Sequence, residues 1–366
     1  MKNDALTVRP LSSIFFPLLL IYAIGIIMIF DASSGEIVDC ARTKSQFSAL
    51  YRQLTWGGCA TIAFLSAWGL GWKRTMNISP FLYGMLIVAL ILVLIPHVGI
   101  CANGSRRWLG WHGVYVQPSE FVKIILPAFF FHACSRYKKI FTHFRSFLIL
   151  MAQVAASVLL IILEPNNGTA GVIILLIGVS TLLVGIPMRF WFIPLCIIMC
   201  GLVLFAANSN YVQKRIESYL NPELDIRGKG HQPYQAKIAA GSGGLFGKGP
   251  AKSIQKLSYL PEAQNDYIAA IFAEEYGFLG ITCLIALYSW FFIELWKIVC
   301  VTEVYAAFGW GMTIYFLLFI QTFMNLGIVS GLLPSSGLNL PFLSQGGSSL
   351  VANAMGVGFI MSMQNK

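Results

Sequence analysis

Charge is what this chain has least of. Only 11% of its 366 residues are Asp, Glu, Lys or Arg, while 57% are apolar. A soluble domain carries about 25% charged residues, so too few remain here to cover a water-exposed surface. That excludes a soluble enzyme, a disordered chain and a secreted disulfide scaffold. Paired cysteine motifs are also missing: the eight Cys contain no C-x-x-C and none stands at metal spacing from a His, so no metal site is expected. Acidic residues number 15 against 25 Lys and Arg, a net charge of +10. The basic residues form no single patch or tail, so nucleic acid is not the expected partner. In a membrane chain such an excess reflects cytoplasmic loop bias and contact with anionic lipid headgroups. The remaining class is an all-α polytopic membrane protein.

A helix crossing needs about 20 mainly apolar residues at 1.5 Å rise each. Clear candidates are Ile14–Phe30, Leu54–Leu70, Phe81–Ile100, Phe147–Leu163, Thr169–Ile186, Phe190–Ala207, Tyr276–Trp296 and Val304–Val329. Two weaker candidates are the short Phe121–Cys134 and Leu350–Met363, which follows a Gly/Ser/Pro-rich stretch. Ten spans is therefore the expected count. The runs are continuous rather than alternating with period two, which excludes a β-barrel. Ahead of the first run stand Lys2 and Arg9 without a clean small-residue cleavage pattern, so the run reads as a retained helix.

Placing the N-terminus inside puts eleven basic residues on the cytoplasmic side and five in the short outer loops. Both termini are then cytoplasmic, as an even number of spans requires. Residues 208–266 form a large extracytoplasmic loop between spans 7 and 8, with eight Lys or Arg. Long loops translocate largely regardless of charge, so this does not oppose the orientation. Its Gly and Pro content rules out one continuous helix, although Gln235–Ala240 and Ser253–Tyr259 have the pattern of short amphipathic pieces. A loop of this size reads as functional rather than as a plain linker. The whole chain, 1–366, reads as one membrane domain.

Four stretches carry chemistry unusual for such a protein. The first runs from Gly104-Ser105-Arg106-Arg107-Trp108 to Gln117-Pro118-Ser119-Glu120 and Lys123. Glu120 and Lys123, three apart, share a helix face and neutralise each other; an ionisable pair at the start of a span is a functional candidate by default. Pro118 and Glu120 also suit a helix N-terminus, so both readings stand. The second is Gly241-Ser242-Gly243-Gly244-Leu245-Phe246-Gly247-Lys248-Gly249, a glycine-rich segment able to wrap an anion through backbone N–H groups. It is not a Walker A loop, because no Lys-Ser/Thr pair opens a helix at the right spacing. The third, Tyr259-Leu260-Pro261-Glu262-Ala263-Gln264-Asn265-Asp266-Tyr267, leads into Glu274-Glu275-Tyr276-Gly277. Asp266 stands where the loop meets a span, partly desolvated yet reachable from water, which suits a general base; a helix N-cap is the competing role. The fourth, Leu340-Pro341-Phe342-Leu343-Ser344-Gln345-Gly346-Gly347-Ser348-Ser349, reads as a re-entrant or broken start to the last helix.

Together these stretches resemble the SEDS family of cell-wall glycosyltransferases, the group containing FtsW and RodA. The resemblance runs from about Ile14 to Ser362 and rests on five separated motifs in family order. They are R-R-W…Q-P-S-E-x-x-K, E-P-x-x-G-T at Glu164–Thr169, Q-x-x-Q…G-S-G-G-L at Gln232–Leu245, L-P-E-A-x-x-D at Leu260–Asp266, and P-F-x-S-x-G-G-S-S at Pro341–Ser349. Ala263 in L-P-E-A is more similar to the division member FtsW than to the elongation member RodA. The family implies polymerisation of lipid II into glycan strands outside the bacterial cytoplasmic membrane, at the septum for a division member. It implies a class B penicillin-binding protein as transpeptidase partner, other divisome proteins as neighbours, and Asp266 as the catalytic carboxylate. Arg107, Glu120, Lys123, Arg215, Gln232 and Gln235 match positions that line or support the family's cavity; Lys248, Glu262, Ser344 and Ser348 complete the candidate substrate-binding set. Departures are Gln264-Asn265 for His-Thr, Asn166 for Asp, Ala236 for Ser and Gln345 for Tyr.

The implied reaction is feasible with one base. The acceptor 4-hydroxyl must lose a proton as it attacks the donor's anomeric carbon. The leaving lipid pyrophosphate needs charge stabilisation more than protonation. Arg106, Arg107, Arg215, Lys248, Lys252 and Lys256 are the candidate cations, with Arg215 first, and a divalent cation is a further candidate. Rival readings are a flippase of the lipid-linked precursor, an elongation-type polymerase, and a scaffold that only recruits a transpeptidase. No inverted repeat supports the flippase.

Overall fold

The computed structural model describes residues 12–39, 47–102, 105–111, 114–196, 200, 231–257, 260 and 263–364. Ten helices carry it: α1 (Ser12–Asp39), α2 (Ser48–Leu70), α3 (Trp72–Leu94), α4 (Pro118–Arg136), α5 (Phe144–Leu163), α6 (Asn167–Val184), α7 (His231–Ser242), α8 (Ile268–Cys300), α9 (Tyr305–Val329) and α10 (Gly347–Ser362). Residues 188–196 are also helical, and Ala263–Asp266 makes one helical turn before α8. A three-stranded antiparallel sheet, β1 (Gly99–Ala102), β2 (Ser105–Trp111) and β3 (Val114–Val116), joins α3 to α4.

Among the described residues, α1, α3, α5, α6, α8 and α9 are long and apolar enough to cross a membrane. Their outer faces are apolar too, with Leu19 on α1, Phe81 on α3 and Leu163 on α5 each more than 60% exposed. Polar groups turn inward instead, as in the Ser180–Thr313 hydroxyl pair at 3.2 Å between α6 and α9. This inversion of the soluble pattern makes the chain a multi-pass membrane protein.

The two weakest span candidates are the centre of the bundle. From Pro118 to Cys134, α4 is buried at all but Phe121 and His132, and α10 is buried along most of its length against α2. A helix surrounded by protein has no lipid to satisfy, so it can be short and can carry Lys123, Asn353 and many small residues. That is why hydropathy underrates it.

Three expectations shift. The third span was expected at Phe81–Ile100; α3 instead starts at Trp72, continues through Pro80 and stops at Leu94. Ile95 is extended, as the residue before Pro96 must be, and Gly99–Ala102, apolar but short, pairs with β2 as a strand. A single residue, Gly71, joins α2 to α3 with φ +77°, a region that favours glycine. In the large loop, the first amphipathic piece is part of the longer α7, whereas the described residues from Ser253 to Leu257 form turns rather than a helix. Cys40, Arg215, Glu262 and the end of the Phe190–Ala207 run lie outside the described residues.

Candidate active site

Four of the five motifs meet on the large-loop side of the bundle. The backbone N–H of Gln117, just before α4, donates to Ser348 Oγ at 3.0 Å, and that hydroxyl reaches the Tyr115 carbonyl at 3.4 Å. Gln117 Nε2 donates to Ser119 Oγ at 3.1 Å, and Asn166 Nδ2 approaches the same hydroxyl at 3.4 Å. Arg107 on β2 donates through Nε to the Glu164 carbonyl at 3.3 Å and through Nη2 to the Pro165 carbonyl. The starts of α4, α6 and α10 and the tip of the sheet are thus tied into one surface.

Asp266 joins that surface from the other side. It ends the short turn Ala263–Asp266, is half-buried, and its carbonyl accepts from Asn325 Nδ2 at 2.9 Å. Asn325 also holds the Leu338 carbonyl at 2.8 Å, and the Gln345 N–H donates to the Gln264 carbonyl at 2.9 Å. Residues 337–345 are therefore pinned beside the catalytic candidate. Gly337 is exposed, and a Cβ placed on it would lie 3.6 Å from Asp266 Oδ2. One residue earlier, the Ser336 carbonyl packs against Gly168 in the first turn of α6. The N-cap position of α8 belongs to Tyr267, whose side chain makes no cap hydrogen bond, so Asp266 stands one residue before the cap.

The polar lining has open valences. Neither carboxylate oxygen of Glu164 meets a hydrogen-bond donor among the described residues, and the same holds for Asn325 Oδ1 and Ser336 Oγ. Glu164 is fully buried at the junction of α5 and α6. Burial pushes its carboxyl up to about 8, and the neighbouring Arg107 charge offsets only part of that. In the sequence Glu164 stands only as the first residue of a motif, with no role attached. The signal available was its position, a lone acidic residue between two apolar runs.

The other expected residues have definite surroundings. Lys123 Nζ lies 2.8 Å from Glu120 Oε2, both side chains almost fully buried in α4; the contact is close but not aligned as a hydrogen bond. Ser344 Oγ accepts the Leu340 N–H at 2.9 Å, closing the turn ahead of α10. Gln232 and Gln235 are half-buried on α7, which packs against α8 and α9. Lys248 pairs with Glu274 at 2.6 Å.

The glycine-rich segment does something other than wrap an anion. Gly277 breaks α8 with φ 66° and ψ −162°, a conformation that favours glycine. The Glu274 and Glu275 carbonyls, left without their helical donors, accept the N–H groups of Lys248 and Gly249, each at 3.0 Å. The freed N–H groups of Phe278 and Leu279 donate to Gly244 and Leu245 at 2.9 and 3.1 Å. The segment is spliced into the helix ladder, which satisfies backbone groups that membrane depth would otherwise leave unpaired. Above the splice, Lys256 Nζ bridges Asp31 at 2.7 Å and Glu275 at 2.9 Å, tying α1 to the loop.

Fold and site together define a polytopic membrane protein with Asp266 at a polar surface where its separated motifs converge. The chain belongs to the family described as cell cycle protein, which groups FtsW, RodA and SpoVE and whose model matches residues 11–366. It is 36% identical over 350 residues to stage V sporulation protein E of Bacillus subtilis, covering 94% of each chain. It is 34% identical over 358 residues to a probable peptidoglycan glycosyltransferase FtsW of Coxiella burnetii, covering 93% of this chain and 92% of that protein. Its fold matches a chain from a peptidoglycan synthase complex that coordinates polymerization and crosslinking, at TM-score 0.80, 23% identity and 97% coverage of both. The rod shape determining protein RodA of Thermus thermophilus matches at TM-score 0.70, 23% identity and 98% coverage of both.

Proposed function

We propose that this protein is a peptidoglycan glycosyltransferase that polymerises lipid II into glycan strands at the outer face of the bacterial cytoplasmic membrane, for septal synthesis in division. The observation that carries the reading is the surroundings of Asp266: half-buried, beside the exposed Gly337, and one residue ahead of the α8 cap where the large loop meets that helix. Asp266 takes the proton of the acceptor 4-hydroxyl as that oxygen attacks the donor's anomeric carbon. The bond to the lipid pyrophosphate breaks on the opposite side, and cationic groups stabilise the departing charge. Arg215 is the first candidate for that role, with Arg107 and a divalent cation as others. Gln232, Gln235, Glu262, Ser344 and Ser348 border or support the substrate path, Lys248 supports it only through its pair with Glu274, and the Glu120–Lys123 pair stiffens its floor.

The topology that fits has ten spans, both termini cytoplasmic, and residues 208–266 outside within a single membrane domain. A class B penicillin-binding protein is the partner that would crosslink the strands, beside other divisome proteins. The name of the synthase complex and the names of the FtsW relatives support this assignment.

The test is purified protein with lipid II in detergent, alone and with its transpeptidase, beside a lipid-movement assay in sealed vesicles. Glycan strands in the first assay are expected. Lipid movement without polymer would replace this reading by the flippase.

A further inference from the structure

The glycine-rich segment belongs to the loop expected to lie in water, yet its tip is apolar: Leu245 is 54% and Phe246 75% exposed. Its depth is fixed by the splice. Leu245 is bonded to Leu279 of α8, and Gly247, on the far side of Phe246, packs directly against the backbone of Glu275 and Tyr276. Phe246 is therefore held level with residues 275–279.

That level can be read against the membrane. From Tyr276 to Ile293, α8 carries no Asp, Glu, Lys or Arg. Those residues span about 27 Å at helical rise, close to the hydrocarbon thickness of about 30 Å. Charged groups begin at both ends: Glu294 and Lys297, paired at 2.6 Å, on one side, and Glu275, Glu274, Lys248, Lys256 and Asp31 on the other. Leu245 and Phe246 stand at the apolar edge of the second boundary. Beside them Phe278 and Leu279 are 64% and 46% exposed, and the same helix exposes Ile285 and Ile293 toward lipid. The loop tip continues the lipid-facing wall of α8.

We propose that Leu245 and Phe246 are inserted among the acyl chains of the leaflet on the large-loop side, so that the glycine-rich segment is a membrane anchor of that loop. The splice satisfies the segment's backbone, so only apolar side chains enter the lipid. The exposed Lys252 and half-exposed Lys248 follow at headgroup level, where cations are favoured. The inference rests on the membrane fold and is independent of the proposed activity.

The test uses the full chain with the photoreactive phenylalanine analogue p-benzoylphenylalanine at position 246 or 252, in phosphatidylethanolamine–phosphatidylglycerol vesicles and in native membranes. The analogue is close in shape to Phe246, and its site is exposed, so folding is preserved. Phospholipid adducts several-fold more abundant at 246 than at 252 are expected in both settings. Equal yields at the two positions, no lipid adduct at 246, or a protein adduct at 246 in native membranes in place of lipid would each overturn the anchor.

Discussion

Glu274 and Glu164 are equally closed to solvent, each at 0% exposure, and they are held in opposite ways. Glu274 accepts hydrogen bonds from Lys248 Nζ, Ser253 Oγ and the N–H groups of Ile254 and Gln255. Glu275 beside it accepts from Lys256 and from the Ser253 N–H. Glu164 has the Arg107 guanidinium nearby, yet that group donates to the carbonyls of Glu164 and Pro165. The first region is a staple: its buried charges are paired, and its work is to hold the large loop, α1 and the broken α8 together. Among the described residues the second leaves buried acceptors open, which costs folding free energy and which stability alone does not explain. Open valences on the wall that borders Asp266 are what a polar substrate would fill.

The sharpest way to break this division is Asp266→Asn. If the second region performs the chemistry, loss of proton acceptance should lower glycan polymerisation by about 10²–10⁴-fold. Expression, melting temperature and transpeptidase co-purification should stay near wild type, because the carbonyl that Asn325 holds is unchanged. Near-normal polymer from the variant would remove Asp266 from the mechanism and turn attention to Glu262.

The staple should fail in the other currency. Lys256→Met leaves Asp31 and Glu275 facing each other without their shared cation. Losing one partner of a buried ion pair costs about 3–5 kcal/mol. Thermal denaturation in detergent should show the drop, together with lower yield. A variant that melts like wild type would mean that the cluster is solvated and not a staple.

Much of this was legible in the residues. Apolar runs gave the membrane class, and the spacing of Glu120 and Lys123 gave their ion pair. What escaped depends on partners distant in sequence. Asp31 sits in an apolar first helix, and only the fold brings it 225 positions along to Lys256. Lys248 next to glycines suggests phosphate until Glu274 is seen beside it. The short strands 99–116 carry too few residues for periodicity to show, and β1 is as apolar as the helix before it. Helices α4 and α10 were underrated for the reason that makes them central: protein, not lipid, surrounds them.

A smaller effect is expected within α4. Lys123→Ala strands Glu120 at the base of the polar surface. Lys123 makes one ion pair where Lys256 makes two, so the loss should fall near the lower end for a broken buried pair, about 3 kcal/mol. Exchanging the charges, with Glu120→Lys and Lys123→Glu together, should recover part of the melting temperature. If the single variant melts and functions normally, the pair is incidental.

The smallest effect, taken at pH 6, separates the regions by sign. Glu164→Gln should be stabilising above acidic pH, where Lys256→Met is destabilising. The folded carboxyl titrates at about 8 against an ordinary 4.5, so the folded state holds a proton that the unfolded state releases. Stability is then highest below the unfolded value and falls as pH rises from about 4.5 through about 8. At pH 6, roughly 1.5 units into that window, linkage makes the penalty up to about 2 kcal/mol. Gln cannot ionise, so its variant should lack this slope. Melting temperatures of both proteins in detergent should converge near pH 4.5 and separate steadily toward pH 8, the variant higher. Parallel curves would mean that Glu164 is hydrated or paired in solution, and the contrast with Glu274 would lose its basis.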